Sequence, residues 1–506
     1  MLYTPATKAA LRLCFDAHRD QVDKGGLPYV FHPFHVAEQM QTEHEVCVAL
    51  LHDVMEDSAL GADDLIAAGI PEPYVQTCLL LTHRPGVAYL DYVRALAHDP
   101  VARKVKRADL LHNSDPSRLD GAPTERDLQR RARYAQALAL LDAQEAGSAD
   151  HGARAALLSK VQACLLAGAI GDALGYTVEF WKLADIRARF GEEGIRSFAE
   201  LPARFSDDTQ MTLFTAAGLA ACSERRAAGE DADPVQCVRR AYLDWLVTQG
   251  GRSPEEGALC TRLLSVPELH VRRAPGITCL TALEAGGTGS LEQPVNDSKG
   301  CGGVMRVAPW GLWYRQALAC PPSDDDLREL VRGGAACAAL THGHPLGWIS
   351  AGALCFIVDR CAYDVPLGCP GVGWELAGIV EECADRLPSW FPAQAHEARV
   401  QARLLRRAVS LAQGDQPADA CVRSLGEGWV GEEALAVAVF AAVRHADDLD
   451  AALAVAVNHD GDSDSTGAVC GNILGALRGL GAIGAQWDGV ELRDLILDTA
   501  ASLLPA

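Results

Sequence analysis

The chain has 506 residues, of which 49% are hydrophobic and 22% are charged, and its formal net charge at neutral pH is −22. A chain of this length is expected to form about two to four domains, and its hydrophobic share excludes a disordered or low-complexity protein. Because a protein that tracks a phosphate backbone needs a basic surface, the acidic charge argues against binding to duplex nucleic acid.

The N-terminal sequence and the apolar runs bear on location. The first residues, MLYTPATKAALRLCFDAHRD, contain charges and no apolar signal-peptide core. The longest apolar runs, such as 434–443, are shorter than the ~18 residues that cross a bilayer. We therefore expect no transmembrane segment, no membrane partner and a cytoplasmic location. The 17 cysteines are scattered through apolar helical stretches, which predicts buried free thiols.

Residues 143–154 (AQEAGSADHGAR) are small and polar and lack helical periodicity, so we place a domain boundary there. The predicted domains are residues 1–150 and 151–506. In both, apolar residues recur every three or four positions, a pattern typical of helices. Alternating runs of β-branched residues are nearly absent, so we predict an all-α fold with two helical domains and no extended sheet.

Side chains that bind metals or move protons are concentrated in a few stretches of the first domain. They are His32 in PYVFHP, His52, Asp53, Glu56 and Asp57 in LLHDVMEDS, and Asp109 in KRADLLHN. Because residues four apart share a helix face, a single helix would place His52 beside Glu56 and Asp53 beside Asp57. A mixed imidazole and carboxylate set suits Mn, Fe or Zn better than Ca, and open coordination positions would hold water and a phosphate. The pattern predicts a metal-dependent hydrolase.

These motifs, in the order H…HD…D, resemble the HD metal-dependent phosphohydrolase superfamily. Over roughly residues 1–145 they are similar to the hydrolase domain of the RelA/SpoT alarmone enzymes. The resemblance implies a Mn²⁺ or similar divalent ion, held by His32, His52, Asp53 and Asp109. It implies that Glu56 and Asp57 orient the attacking water. It further implies that Lys24 and Asn113 hold the nucleotide, a guanosine alarmone such as (p)ppGpp that loses its 3′-diphosphate.

One departure from that pattern leaves a second role open. Asp23 precedes Lys24 where the family usually has an Arg-Lys pair, and a carboxylate there repels a phosphate. The alternative is that the first domain only binds its nucleotide and regulates the second. Five nearby histidines are interpreted as surface or helix-packing residues: His18, His35, His44, His83 and His112.

Two short acidic stretches, more than 250 residues apart, stand out in the second domain. They are RFSDDTQM, with Ser206, Asp207 and Asp208, and NHDGDSDSTGA, with Asp462, Asp464 and Ser465. Carboxylates and hydroxyls at the start of a helix suit a hard cation such as Mg²⁺. The alternative is that each stretch only caps a helix, since Ser or Asp commonly precedes an apolar helical run.

Three further segments accompany the acidic stretches. They are GAIGDALGYTVE, which ends at Glu179, SKGCGGVMRVAP, with Gly302, Gly303 and Arg306, and LTHGHPLG, with His342. In this order the five motifs resemble the ADP-ribosylglycohydrolase family, including the dinitrogenase-reductase-activating glycohydrolases, over almost all of residues 158–480. The resemblance implies magnesium-dependent cleavage of the glycosidic bond of an ADP-ribosylated protein or small molecule, with the acceptor undetermined.

The same resemblance implies roles for individual residues. A site for two Mg²⁺ ions would be formed by Ser206, Asp207, Asp208, Asp462, Asp464 and Ser465. Gly302 and Gly303 would face the diphosphate, and His342 would lie near the ribose and phosphate. Glu179 would be a catalytic or gating carboxylate, with Asp208 as the other candidate base. The whole chain is predicted to be a hydrolase with two sites.

Overall fold

The computed structural model describes residues 2–23, 26–115, 118, 124–255, 261–317 and 321–504, without the side chains of residues 146, 148–151 and 317. Proximity of Cα atoms divides the chain into two compact units, Met1–Ala153 and Arg154–Ala506. The described residues are mostly helical and contain no extended strand, only three isolated bridges. The prediction of an all-α fold without an extended sheet is confirmed.

The first unit is built around one buried helix. Its helices are α1 (Pro5–Ala17), α2 (Phe31–Glu38), α3 (Glu43–Leu51), α4 (Val54–Asp57), α5 (Ala62–Ala67), α6 (Glu72–Leu81), α7 (Tyr89–Leu96), α8 (Pro100–Ser114) and the first part of α9 (Glu125–Tyr176). Every residue of α3 from Val46 to Leu51 is inaccessible to solvent. Helices α1, α2, α6 and α8 contact α3. This packing brings the end of α3 close to α2, which carries His32, and to α8, which carries Asp109.

The turn at His52 interrupts a segment that its periodicity predicts to be one helix, since α3 ends before His52 and α4 begins two residues later. Nδ1 of His52 donates a hydrogen bond of 2.7 Å to the carbonyl of Ala49. In a continued helix that carbonyl would accept from the amide of Asp53. The prediction of a single helix is therefore wrong, and the shared face that it implied for Glu56 and Asp57 does not follow.

Helix α9 runs without interruption through residues 143–154, where the sequence shows no helical periodicity. Four of the twelve residues in this segment are Ala, which favours helix, and its two glycines cost only about 1 kcal/mol each relative to alanine. The division of the chain into two units falls inside this helix, between Ala153 and Arg154.

The second unit contains the last part of α9 and fourteen further helices among the described residues. They are α10 (Leu183–Phe190), α11 (Asp207–Ala227), α12 (Pro234–Thr248), α13 (Ile277–Glu284), α14 (Ala308–Tyr314), α15 (Asp324–Ala339), α16 (Pro345–Tyr363), α17 (Val372–Trp390), α18 (Ala395–Ala412), α19 (Ala418–Leu425), α20 (Gly431–Arg444), α21 (Leu449–Val457), α22 (Ser463–Arg478) and α23 (Arg493–Ala501). Short 3-10 turns occur at Arg262–Ser265, Pro267–His270, Cys301–Gly303, Arg315–Ala317, Pro392–Gln394, Leu480–Ala482 and Ala485–Trp487. Helices α16, α20 and α22 contact one another and are buried on nearly all sides, so they form the centre of the core.

Glycines bring α9 and α22 into backbone contact. A Cβ added at Gly171 would lie 2.1 Å from the carbonyl oxygen of Gly467, and one at Gly175 would lie 2.2 Å from that of Ser463. No larger residue fits at these positions without moving a backbone. The close approach places the end of α9, which carries Asp172, beside the N-terminus of α22.

Two helical segments, Gly152–Tyr176 and Pro345–Tyr363, are long and apolar enough to span a membrane. The sequence shows no continuous apolar run of this length, because polar residues break the runs without making the segments polar on average. In the fold, 78% and 89% of their apolar windows are buried within the protein. Core packing accounts for their composition. The described cysteines are free thiols. All of them except Cys301 and Cys369 are buried.

Candidate functional site

Four side chains of the first unit converge where α2, α8 and the turn after α3 meet. Nε2 of His32 lies 3.1 Å from Oδ1 of Asp109 and 3.6 Å from Oδ2 of Asp53. Nε2 of His52 lies 3.1 Å from Oδ2 of Asp53 and 3.9 Å from Oδ1 of Asp109. The ligand atoms of His32, His52 and Asp109, all buried, lie within 4.8 Å of one another. The fold thus brings together the four side chains of the H…HD…D pattern.

The outer nitrogens of the two imidazoles are held by hydrogen bonds. Nδ1 of His52 donates to the carbonyl of Ala49, and Nδ1 of His32 shares a hydrogen bond of 2.6 Å with Nδ1 of His112. Nε2 of His32 and Nε2 of His52 are buried and have no hydrogen-bond partner of suitable geometry. A divalent metal ion would take the place of the proton on each Nε2, while the hydrogen bond at Nδ1 holds each ring in position, so this arrangement fits such an ion.

Opposite charges stabilise each other in this cluster. Burial opposes the charged form of His52, but Asp53 and Asp109 outweigh it and raise its pKa to about 10. Burial likewise raises the pKa of Asp53, but the charge of His52 outweighs it and lowers that pKa to about 2. Nζ of Lys106 lies 2.9 Å from Oδ2 of Asp109, and its charge outweighs burial and lowers the pKa of Asp109. The carboxylates are therefore ionised at neutral pH, as metal ligands must be.

Glu56 and Asp57, the predicted water-orienting pair, lie on the exposed side of the turn. Oε2 of Glu56 accepts a hydrogen bond of 3.1 Å from the amide of His83. Burial, followed by the charge of Asp53, raises the pKa of Asp57. Both carboxylates follow the His52 turn closely in the chain, but Glu56 is engaged by a backbone amide.

A pocket of about 360 Å³ in the first unit is lined in part by Asn113 and Asp23. Nδ2 of Asn113 donates a hydrogen bond of 2.5 Å to Oδ1 of Asp109, so Asn113 also holds a member of the cluster. Oδ2 of Asp23 lies 3.1 Å from Nη2 of Arg118. This cation reduces the repulsion of phosphate that the sequence suggests for Asp23. Lys24 lies outside the described residues.

Sequence reasoning missed two residues of this cluster. The ring of His112 stacks on that of His32, with centroids 4.9 Å apart and planes at 5°. The hydroxyl of Tyr29 donates a hydrogen bond of 2.6 Å to Oδ2 of Asp53. A signal existed for both, because His112 follows Asp109 by three positions in α8 and Tyr29 precedes His32 by three. The interpretation of His112 as a surface or packing residue is incomplete, because it holds a candidate ligand.

The two acidic motifs of the second unit lie at helix N-termini. Oγ of Ser206 caps α11 by accepting a hydrogen bond of 3.2 Å from the amide of Asp208. Asp462 caps α22 by accepting a hydrogen bond of 3.2 Å from the amide of Ser465. The capping interpretation is thus confirmed for both motifs. It does not exclude a site, since capping holds the oxygens at the positive end of each helix.

Met305 connects the two helix ends. Its carbonyl accepts a hydrogen bond of 3.3 Å from Oγ1 of Thr212 in α11, and its sulfur lies 4.0 Å from Oγ of Ser465 in α22. Burial, followed by the charge of Asp208, raises the pKa of Asp464 well above its usual range. The motifs therefore lie side by side, although more than 250 residues separate them in the sequence.

The carboxylates of this second cluster repel one another. Burial, followed by Asp462 and Asp207, raises the pKa of Glu179 to about 8. Burial also raises the pKa of Asp207 to about 8. Oε2 of Glu179 and Oδ2 of Asp208 are buried without a hydrogen-bond partner. Buried carboxylate oxygens that lack partners and face like charges have the donor chemistry of a divalent-cation site.

The two clusters differ in compactness. In the part of the chain that the structure describes, only His32, His52 and Asp109 bring three His, Cys, Asp or Glu ligand atoms within 4.8 Å of one another. The carboxylates of the second unit are spaced more widely. Their like charges make a closer approach unfavourable without a cation, whereas the imidazoles and carboxylates of the first unit attract one another.

Gly302 and Gly303, which the motif pattern places against a diphosphate, are buried in a 3-10 turn. A Cβ at Gly302 would lie 3.0 Å from Cε1 of His342, and one at Gly303 would lie 2.8 Å from a backbone carbonyl oxygen. The two glycines are therefore required for packing. Burial, followed by the charge of Arg306, lowers the pKa of His342 to about 3, so its ring is neutral at physiological pH. The fold brings His342 and Gly302 into contact range.

Two residues of the second cluster were not singled out from the sequence. Oδ1 of Asp172 accepts a hydrogen bond of 2.8 Å from the amide of Ser206, and its Oδ2 accepts from the amide (2.9 Å) and hydroxyl (2.5 Å) of Thr209. The amide of Gly276 donates a hydrogen bond of 3.2 Å to Oδ2 of Asp207. Asp172 thus orients the start of α11. It lies within the GDALG motif, which was a usable signal, whereas nothing in the sequence connects Gly276 with Asp207.

Comparison with known proteins gives the family of the second unit. Residues 153–506 match the family model described as ADP-ribosylglycohydrolase. A solved structure titled "ADP-ribosylglycohydrolase-related protein complex" is similar over 69% of this chain and 97% of its own, with 21% sequence identity and a TM-score of 0.41. The match to this family model supports a hydrolase. The chain belongs to the ADP-ribosylglycohydrolase family, whose members are typically divalent-metal dependent and act on ADP-ribosylated substrates.

Proposed function

We propose that the second unit hydrolyses the glycosidic bond between ADP-ribose and an acceptor in a reaction that depends on two Mg²⁺ ions. The observation that carries the proposal is the meeting of two acidic helix N-termini, at Ser206 and Asp462, around buried carboxylate oxygens that lack partners. The substrate is an ADP-ribosylated protein or small molecule. The membership of residues 153–506 in the family supports this assignment.

The chain's own oxygens would hold the ions. The candidate ligands are Ser206, Asp207, Asp208, Asp462, Asp464 and Ser465. Carboxylate and hydroxyl oxygens are the donors that Mg²⁺ prefers. When bound, the ions supply charge that polarises water and orients the ribose. Asp172 and the amide of Gly276 keep the start of α11 and Asp207 in position. Gly302, Gly303 and His342 are proposed to face the diphosphate and its ribose.

Two carboxylates are candidates for the proton transfers. Cleavage at the anomeric carbon passes through an oxocarbenium-like state, and the leaving group needs a proton while the attacking water loses one. Glu179 has a buried oxygen without a partner, and burial, followed by the charges of Asp462 and Asp207, raises its pKa to about 8 in the absence of metal, which makes it the candidate proton donor. Asp208 is the alternative base. A comparison of the pH profiles of Glu179→Gln and Asp208→Asn assigns the two roles.

Hydrolysis of an ADP-ribosylated protein with Mg²⁺, by the wild type and by Asp464→Ala, tests the proposal. Asp464 lies in the first turn of α22, and Asp325 occupies the first turn of α15 in an exposed position, so Asp325→Ala is a matched control. Loss of an outer-shell partner of a metal costs 10- to 100-fold, so we expect loss of a ligand to cost at least about 100-fold. Equal activity of the two variants refutes the proposal.

We also propose that the first unit contains an HD-type phosphohydrolase site for a nucleotide such as (p)ppGpp. A Mn²⁺ or similar ion would be held by His32, His52, Asp53 and Asp109. The buried His32, His52 and Asp109 group supports the metal site, since its imidazole and carboxylate donors suit a transition metal. Glu56 and Asp57 would orient water. Lys24 and Asn113 would hold the nucleotide.

An alternative is that the first unit binds its nucleotide without turnover and regulates the second. The pairing of Asp23 with Arg118 favours this binding role, because Asp23 occupies an arginine of the pocket that a departing diphosphate would otherwise bind. Incubation of the full chain with Mn²⁺ and (p)ppGpp separates the two roles. Release of pyrophosphate that His52→Ala abolishes supports the hydrolase, and binding without release supports the sensor. We place both activities in the cytoplasm.

A further inference from the structure

Two aromatic rings of the second unit stack on each other at the surface. The ring centroids of Phe180 and Trp429 lie 5.4 Å apart, and their planes are at 19°. Phe180 is 68% exposed and Trp429 is 36% exposed. Because Phe180 stays 68% exposed although one of its faces lies against Trp429, its remaining exposure is on the side turned away from Trp429.

Both rings are carried by segments that are bound to the acidic cluster. Phe180 directly follows Glu179, whose Oε2 is buried without a partner. The carbonyl of Trp429 accepts a hydrogen bond of 3.2 Å from the amide of Cys301, in the SKGCGGVMR motif. Two residues earlier, the carbonyl of Glu427 accepts a hydrogen bond of 2.8 Å from the amide of Asp462. The stacked rings therefore stand at the edge of the cluster, on the side of Glu179.

The conformation of Phe180 is unfavourable for stability. Its φ is +67°, in the left-handed region that a residue with a Cβ rarely adopts. Its ring gains little from burial, since most of it is in contact with solvent. A strained and exposed aromatic residue beside a buried carboxylate is better explained by contact with a ligand than by packing.

We propose that the open face of Phe180, backed by Trp429, stacks the planar leaving group of the glycosidic bond and selects nitrogen-linked planar acceptors over aliphatic hydroxyl acceptors. This inference rests on the proposed glycohydrolase function, in which Glu179 serves the leaving group. In the reaction, the water oxygen bonds to the anomeric carbon and loses a proton, the bond from that carbon to nitrogen breaks, and the leaving nitrogen gains a proton, so that one water is consumed. A guanidinium or a nucleobase has a flat face that stacks on an aromatic ring, and a serine side chain has none.

The test compares three ADP-ribose conjugates, linked to a guanidine, to a nucleobase of a nucleoside, and to serine. Phe180→Leu keeps apolar bulk but removes the π face, and Trp429→Leu removes its backing. We expect kcat/KM for at least one planar conjugate to fall about tenfold, as stacking and cation–π contacts predict. The serine conjugate should change less than about twofold. Trp374→Leu, which removes a 76% exposed indole from α17, is the matched control and should change none of the three.

Phe180→Gly separates a ligand contact from a structural role. Glycine relieves the strain at φ +67°, so the melting temperature should hold or rise while the planar conjugate still loses about tenfold. Affinity for free ADP-ribose with Mg²⁺, measured by calorimetry, should be unchanged in all variants. Equal losses for planar and serine conjugates, weaker ADP-ribose binding, or no loss at all would overturn the inference. If the wild type hydrolyses none of the conjugates, the proposed function itself fails.

Discussion

The two metal-type clusters solve the problem of burying charge in opposite ways. In the first unit, His52 and Asp53 pair as opposite charges, and their pKa values move apart to about 10 and about 2. In the second unit, Glu179 and Asp207 face like charges, and both pKa values rise to about 8. The first cluster is electrostatically satisfied by its own side chains. The second is stable in its ionised form only when a cation balances it.

The clusters also differ in what positions them. The first is set by side chains around one turn, where His52 bonds to the backbone of Ala49. The second depends on two backbones in contact, because α9 and α22 meet through Gly171 and Gly467. The difference teaches that a site assembled from distant segments is most sensitive to the packing of its helices. A site built on a turn is most sensitive to its own ligands.

The largest effect is therefore expected from Gly171→Val. A Cβ at this position would lie 2.1 Å from the carbonyl oxygen of Gly467, and neither helix can move without displacing the core. We expect a loss of at least about 3 kcal/mol in the free energy of unfolding, together with loss of glycohydrolase activity. Urea denaturation followed by circular dichroism measures it.

Gly152→Ala is the control for this prediction. Gly152 lies in the same helix, and an added Cβ meets nothing within 4 Å. Alanine there should stabilise the helix by about 0.5–1 kcal/mol. A Gly171→Val protein as stable as Gly152→Ala would show that α9 and α22 do not pack as closely as described.

Removing one member of each cluster should change the stability of the metal-free protein in opposite directions. His52→Gln removes the cation that keeps Asp53 ionised and leaves Asp109 paired with Lys106, so we expect a loss of about 3 kcal/mol in the free energy of unfolding. Asp464→Asn relieves repulsion, so we expect the melting temperature to rise by about 2–5 °C. Hydrogen–deuterium exchange of the metal-free protein, measured for individual peptides in the presence of a chelator, shows in which of the two units the stability has changed. Destabilisation by both variants contradicts the contrast between the clusters.

The pH dependence of metal-free stability should also differ between the units. Glu179 has a folded pKa of about 8 against an ordinary value of 4.5, so the unfolded chain loses this proton first. The second unit therefore loses stability as pH rises from 4.5 to 8. His52 has a folded pKa of about 10 against 6.5. Its contribution to the first unit is complete below pH 6.5 and is lost as pH rises to 10.

Single variants and added metal check these windows. Glu179→Gln should reduce the pH dependence of the stability of the second unit between pH 4.5 and 8, and Asp207, whose pKa is also raised to about 8, should account for part of what remains. His52→Gln should flatten the pH dependence of the first unit between pH 6.5 and 10. Saturating Mg²⁺ should abolish the loss of stability of the second unit between pH 4.5 and 8. A second unit that gains stability from pH 5 to pH 8 without metal would contradict the raised pKa of Glu179.

The helical fold and the groups of candidate ligands could be predicted from the sequence because their signals are local. Helical periodicity is repeated along the chain, and each ligand sits in a short motif, as Asp53 does beside His52. Contacts between distant segments could not be predicted. The amide of Gly276 binds Asp207 across 69 positions, and the ring of His112 meets His32 across 80. Such contacts depend on how the helices pack, which no single motif encodes.

The two helix boundaries that the sequence pattern does not predict also depend on individual contacts. A side chain bonded to the backbone at His52 ended a helix that periodicity continues, and a continuous helix crossed residues 143–154, where small polar residues suggest a break. Propensity differs by less than about 1 kcal/mol between these outcomes, so a single hydrogen bond or a favourable neighbouring turn decides them.

The smallest effect is expected at Asp23, and it bears on whether the first unit turns over its ligand. Asp23 pairs with Arg118 over 3.1 Å, and the side chains are 14% and 23% exposed. A partly exposed pair of this kind is worth about 0.2–1 kcal/mol, so Asp23→Ala should make Nη2 of Arg118 available and strengthen pyrophosphate binding up to about fivefold, while Nη1 keeps its bonds to His112 and Asn113. Calorimetry with Mn²⁺ measures the change, and Asp16→Ala, which breaks an exposed pair with Arg19, is the control.

Unchanged affinity would mean that Arg118 does not face the ligand. Tighter binding accompanied by faster pyrophosphate release from (p)ppGpp would favour the hydrolase over the sensor, because the same cation would then serve the departing diphosphate.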